Sequence, residues 1–143
     1  MYYVDTNILV SALTPEPVKH AARAWLVDHQ DSAFVSDWVI TEFSSALSVK
    51  SRFTGLSDVD RSQALDGLSR YISTSLTVLP VGRNDFRTAT RWCGAPELGL
   101  RAGDALHLAV ASTHELTVIT RDQVMVAAAR ELGLDVVPFE EPA

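Results

Sequence analysis

Cysteine is almost missing from this chain: Cys93 stands alone among 143 residues. No intrachain disulfide can form, and there is no Cys-x-x-Cys zinc knuckle. Lysine is nearly as scarce, with only Lys19 and Lys50, and the histidines His20, His29, His107 and His114 lack metalloprotease spacing, which sets zinc aside. No glycine-, proline- or serine-rich linker interrupts the sequence and no repeat recurs at solenoid periods, so residues 1–143 are expected to form a single domain. The only stretch that reads as a loose tail is Glu140-Glu141-Pro142-Ala143. Apolar runs such as Leu108 to Ala111 are far too short to span a bilayer, and Asp5 spoils the N-terminus as a signal peptide. A cytoplasmic protein without membrane attachment is the expectation. What is present suits a real core, with 47% hydrophobic and 21% charged residues. The net charge of -6 is the opposite of the basic footprint usual in nucleic-acid binders.

The pattern along the chain alternates short apolar runs with helical periodicity. Strands are expected at Tyr2–Val4, Ala33–Val35, Leu76–Leu79, Leu116–Thr120 and Val136–Val137. Helices are expected from Ile8 to Leu13, Val18 to His29, Trp38 to about Ser51 behind an Asp37 N-cap, and from Ser57, as cap, through Ile72. Three more run from about Asp85 to Cys93, Ala102 to His114, and Gln123 to Leu132 with Gly133 as C-cap. Such alternation predicts an α/β fold whose parallel sheet is covered on both faces. Ligands of such sheets sit outside the carboxyl ends of the strands.

Acids interrupt this pattern where a core-building segment has no use for them. Asp5 ends the first strand inside "VDTNILV", and Asp122 follows the fourth. Either could serve as an N-cap or turn residue, a role aspartate favours. Glu42 falls inside the apolar stripe of its helix, between Trp38 and Val49 on one side and Ala46 and Val39 on the other. Asp104 shares a face with Leu100, Leu108 and Ala111 on a helix that is apolar almost all round, unless it caps that helix after Gly103. Two like charges about 4 Å apart repel by roughly 4 kcal/mol at an effective dielectric of about 20, and burial raises each pKa as well. A cation is therefore implied. Arg101 and Arg121 could pair with Asp104 and Asp122, but two arginines do not balance four acids. Carboxylates without sulfur or imidazole suit Mg²⁺ or Mn²⁺.

With these residues in place, the chain resembles a known family. "VDTN", the helical Glu42, "RAGDALHLAVA" and "VITRD" are similar, in that order, to the motifs of PIN-domain ribonucleases, in particular the VapC-type toxins of toxin-antitoxin systems. Each motif alone is weak, and the four in sequence are specific. The resemblance implies a three-layer PIN-like fold with a five-stranded parallel sheet in the order 3-2-1-4-5. It also implies that Asp5, Glu42, Asp104 and Asp122 form a catalytic acidic quartet, with Asp5, Asp104 and Asp122 as ligands of Mg²⁺ or Mn²⁺. Thr6, Asn7 and Thr120 match the polar neighbours that orient those carboxylates. Met125 stands where an aromatic is common.

The activity so implied is metal-dependent endoribonuclease cleavage, a water being acidified for in-line attack on an RNA phosphodiester. A VapB-type antitoxin and a homodimer are the expected protein partners, the antitoxin meeting an apolar surface around Trp25, Trp38 and Phe43. His107, one turn after Asp104, reads as a satisfied core histidine rather than a general acid. Arg83, Arg87 and Arg91 recur every four residues, either as a solvated helix face or as a phosphate-contact stripe. A receiver domain also gathers acids at strand ends, but Leu79-Pro80 and Thr120-Arg121 occupy the places where it needs an acceptor aspartate and a lysine. A housekeeping PIN nuclease and a non-catalytic PIN-like binding module remain as alternatives, the second disfavoured by the complete set of acids.

Overall fold

Strands of three or four residues suffice here because the central ones are buried on both faces and their apolar residues run almost without interruption. In the computed structural model, which describes residues 1–140, these are β1 (Tyr2–Val4), β2 (Ala33–Ser36), β3 (Leu76–Leu79), β4 (Thr117–Thr120) and β5 (Val136–Pro138). Of the expected loose tail, Glu141 to Ala143 lie outside the described residues. All four pairings are parallel and the strand order is β3-β2-β1-β4-β5, as the family resemblance implied. Tyr3, Val4, Val35, Val118 and Ile119 are at most 1% exposed, whereas Val137 on the β5 edge is 41% exposed. Pro138, which has no N–H to give a neighbour, lies on that same edge strand, where a proline is tolerated.

The helices are α1 (Thr6–Leu13), α2 (Lys19–Asp28), α3 (Asp37–Phe53), α4 (Asp58–Thr74), α5 (Arg83–Cys93), α6 (Ala102–Thr113) and α7 (Gln123–Glu131). α1 packs on α2, α3 and α4, and α5 packs on α6. Right-handed crossovers put the helices that follow β1 and β2 on one face of the sheet and those that follow β3 and β4 on the other. The chain reverses its direction of progress between β1 and β4, and the carboxyl ends of these neighbours open the crevice in which α/β sheets bind ligands. No helix among the described residues is long and apolar enough to cross a membrane.

Several local expectations change. Ser36, not Asp37, caps α3: its hydroxyl accepts from the Val39 N–H at 3.4 Å, and Asp37 is already in the first turn, where its charge favours the helix dipole. α3 runs on to Phe53, and its buried stripe is Val39, Phe43 and Leu47, which leaves Val49 exposed. Phe43 is wholly buried in the core, so it offers no surface to a partner. Trp25 is half-buried and stacks on His29 with ring centroids 4.1 Å apart. Between α5 and α6 a short 3-10 turn, Pro96–Leu98, closes on Gly99 with φ 66°, a left-handed conformation that glycine adopts without penalty. Ser57 caps α4 as expected, accepting from the Asp60 N–H at 3.0 Å.

Candidate active site

Asp5 occupies the N-cap position of α1, yet its carboxylate makes no capping bond. The side chain is turned instead toward β4, where the Thr120 hydroxyl donates to Oδ2 at 2.5 Å. Thr120 Oγ1 in turn accepts from Asn7 Nδ2 at 3.2 Å and from the Asp122 N–H at 3.0 Å, and Asn7 Oδ1 takes the Arg121 N–H at 3.2 Å. One hydroxyl thus joins the ends of β1 and β4 and fixes the rotamer of a carboxylate that is only 4% exposed. Asp122 combines both roles that its position allows. Its Oδ1 caps α7 by accepting from the Val124 and Met125 N–H groups at 2.8 and 3.2 Å, while the carboxylate lines the cavity it shares with Asp5. Asp104 lies in the first turn of α6 behind an Arg101 N-cap, so it is not the cap residue.

Asp5, Glu42, Asp104 and Asp122 all line one cavity of about 270 Å³ at the carboxyl end of the sheet, together with Thr6, Asn7, Glu16 and Arg121. All four acids singled out from sequence are therefore brought together. Arg83, Arg87 and Arg91 are exposed and none of them lines this cavity.

Neither arginine that could have paired with Asp104 or Asp122 does so. Arg121 reaches Glu16 at 3.1 Å, and Arg101 makes no ion pair among the described residues. The basic side chain among the acids is His107. Wholly buried on α6, it places Nε2 2.7 Å from Glu42 Oε1 and 3.4 Å from Asp5 Oδ1, with Thr6 Oγ1 at 3.5 Å. On its far side Nδ1 meets the Tyr3 hydroxyl at 2.8 Å, and that hydroxyl meets Ser36 Oγ at 2.7 Å. The sequence reading took His107 for a satisfied core residue, which it is. What it missed is that the satisfaction comes from the site. The spacing held the clue, since a residue three after Asp104 on a helix shares its face.

Electrostatics follow from this crowding. Burial works to lower the His107 pKa, but the hydrogen bond with Glu42 and the charges of Asp5 and Glu42 outweigh it and the value rises. For Glu42 burial works upward, and the hydrogen bond and charge of His107 win, so its pKa falls. Both shifts have the same cause, the contact between His107 and Glu42. Asp5 goes the other way: burial dominates over His107 and Thr120 and raises its pKa. Asp104 is pushed up to about 6, by burial first and then by Asp122 and Asp5. Asp85 is an instructive contrast. It too is only 4% exposed, but the Gly82 N–H and Thr113 hydroxyl donate to it at 2.8 and 2.6 Å, and it belongs to the scaffold.

The donor set fits a hard divalent cation. Asp5, Glu42 and His107 each offer an atom within 4.8 Å of the others. His107 already has both nitrogens engaged, so the ligating capacity lies with the oxygens. No hydrogen bond lowers the pKa of Asp104, and Asp122 spends only Oδ1 on its cap. An ion that keeps several waters needs only one or two direct carboxylates, the others acting through those waters.

A parallel 3-2-1-4-5 sheet with acids gathered at its reversal point defines a class, and residues 2–131 match the PIN domain. The chain belongs to the PIN domain family. Among solved structures, it is similar to FitAcB from Neisseria gonorrhoeae, with a TM-score of 0.71, 22% identity, and 95% of this chain and 96% of that one covered. VapC20 of Mycobacterium tuberculosis, described as a sarcin-ricin loop cleaving toxin, superposes with a TM-score of 0.72 at 18% identity over 90% of this chain and 95% of its own. VapBC2 from Rickettsia felis, bound to a DNA fragment from their promoter, gives a TM-score of 0.69 at 18% identity over 97% and 98%. No curated protein matches the sequence.

Proposed function

We propose that this protein is a single-domain, divalent-metal-dependent endoribonuclease of the cytoplasm, the toxin of a toxin-antitoxin pair. The observation that carries the reading is the convergence of Asp5, Glu42, Asp104 and Asp122 on one cavity at the β1/β4 crevice. Protein donors satisfy buried Asp85 but leave much of this cluster's oxygen capacity free, which is what a metal site requires. A bound Mg²⁺ or Mn²⁺ supplies charge neutralisation, acidification of an attacking water and stabilisation of charge on the phosphodiester oxygens. On this reading Asp5, Asp104 and Asp122 would hold the ion, and Glu42, hydrogen-bonded to His107, would orient water. Thr120, Asn7 and Thr6 keep the carboxylates in place.

An RNA substrate and a VapB-type antitoxin come from the company the fold keeps, VapC20 being a cleaving toxin and VapBC2 a complex. A cluster of acids attracts a basic side chain, so an antitoxin arginine or lysine inserted among Asp5, Glu42, Asp104 and Asp122 competes with the metal for the same charge. A homodimer belongs to the same reading. The test is cleavage of structured RNA in Mg²⁺ or Mn²⁺ and in EDTA, with and without the product of the adjacent gene. Cleavage that survives EDTA sinks the metal mechanism. A chain harmless when expressed alone, with activity indifferent to the neighbouring product, points instead to a housekeeping nuclease.

A further inference from the structure

Arg121 stands between Thr120 and Asp122 at the mouth of the acidic cavity, yet it avoids the four acids. An arginine present to neutralise them would contact them. Instead its Nη1 donates to Ser11 Oγ at 2.6 Å and to Glu16 Oε2 at 3.1 Å, which holds the guanidinium at the rim. Its backbone N–H is tied to Asn7, so the root of the side chain is fixed as well. Glu16 is not free to cancel the charge: its other oxygen, Oε1, takes Lys50 Nζ at 2.8 Å, and Ser11 donates to Oε2 at 2.9 Å. Two cations share one carboxylate, and the rim carries one net positive charge above a floor of acids.

The free valence is as informative as the bound one. A guanidinium has five N–H donors in a planar fork. The two on Nη1 are used, and among the described residues Nε and Nη2 have no partner. That remaining edge is the one that grips a phosphate or carboxylate through two parallel bonds. The Arg121 side chain is 38% exposed, so a ligand can reach it.

Resting on the ribonuclease reading above, we propose that Arg121 is an RNA-phosphate anchor that binds a backbone phosphate neighbouring the one cleaved, with Glu16, Ser11 and Lys50 holding its guanidinium off the acids. The floor of the cavity repels RNA until a cation is bound, so a fixed positive group at the rim gives the substrate a register before cleavage. Arg121 is a positioning residue in this scheme and takes no proton.

The experiment measures binding of a short random-sequence single-stranded RNA in Mg²⁺ over a range of salt, in an Asp5→Asn background that cannot cleave. Adding Arg121→Gln weakens binding about tenfold, the scale of one lost charge-assisted contact. It also makes the slope of log affinity against log salt shallower by about 0.7, the value for one single-strand phosphate. Arg121→Lys keeps the slope at lower affinity, because it retains the charge and loses the fork. Arg61→Gln, an equal change of charge on α4 outside the cavity, leaves the slope alone. A purely structural Arg121 lowers the melting temperature without touching the slope, and an unchanged slope in Arg121→Gln overturns the inference alone. A wild-type chain that neither binds nor cleaves RNA overturns the ribonuclease reading and this inference with it.

Discussion

The Thr120 hydroxyl and the Asp5 carboxylate meet at 2.5 Å although 115 residues separate them in sequence. The contact welds the ends of the two strands that flank the crevice, and the same Oγ1 accepts from Asn7 and from the Asp122 N–H. Thr120→Val keeps the shape and removes all three bonds. It is expected to cost about 1–3 kcal/mol of stability and to cut RNA cleavage more severely than that loss explains. Chemical denaturation and a cleavage assay on the same preparation check it, and a mutant with full activity per folded molecule contradicts the role given to Thr120.

Asp5→Asn removes a charge and leaves the volume almost unchanged. Activity is expected to vanish, while the metal-free protein melts no lower than wild type because burial and like charges already disfavour the ionised form. Thermal melting in EDTA decides the second half: a large drop means that Asp5 is a structural residue.

His107→Ala exposes what the buried histidine holds together. Tyr3 loses its partner at 2.8 Å and Glu42 its partner at 2.7 Å, and a buried ion pair broken on one side costs about 3–5 kcal/mol. Urea denaturation reads the loss. A cost below about 0.5 kcal/mol, the range of surface substitutions that touch nothing, contradicts the pairing.

The metal-free protein is expected to lose stability as pH rises. Asp104, raised to about 6, and Asp5, also raised, favour the folded state while protonated, and that contribution fades as they ionise. His107, likewise raised, adds stability below its ordinary value of 6.5 that is lost as pH climbs through its folded value. Glu42, lowered, opposes only in acid, below its ordinary 4.5. Melting temperature in EDTA therefore falls as pH rises from about 4.5 to about 6, where Asp104 ionises, and falls further above 6.5 as His107 gives up its proton, and Mg²⁺ or Mn²⁺, which binds the ionised acids, restores more at the higher pH. A flat profile contradicts the crowding.

Gly103→Ala is a subtler change. A Cβ there comes within 3.0 Å of Trp38 Cζ2 and 3.1 Å of Glu42 Oε2, so the indole or the carboxylate must shift by a few tenths of an ångström. Cleavage is expected to fall several-fold with little loss of stability, because the Glu42 carboxylate, partly exposed at 29%, yields before the indole ring. Steady-state kinetics beside melting data test this.

The elements and the four acids were legible in sequence because period and punctuation are local. Strand and helix alternate plainly from Tyr2 to Pro138, and an acid inside an apolar stripe is conspicuous. Partnership was not legible. Arg121 sits next to Asp122 in sequence but turns to Glu16, and His107 finds Glu42 on a helix 65 residues earlier. Which side chains pair depends on how α3, α6 and the β1/β4 edge close around the cavity, and spacing along one element does not report that. Ser36 took the cap from Asp37 for a similar reason, since it ends β2 with the extended backbone a cap requires.

Of the five strands the central one, β1, is synthesised first, and its neighbour β4 follows only after β2 and β3. Asp5 therefore waits through most of synthesis for Thr120 and Asp122, and α6 must bring Asp104 and His107 in between. A chain cut short anywhere before β4 has three of the four acids at most and no crevice to hold them.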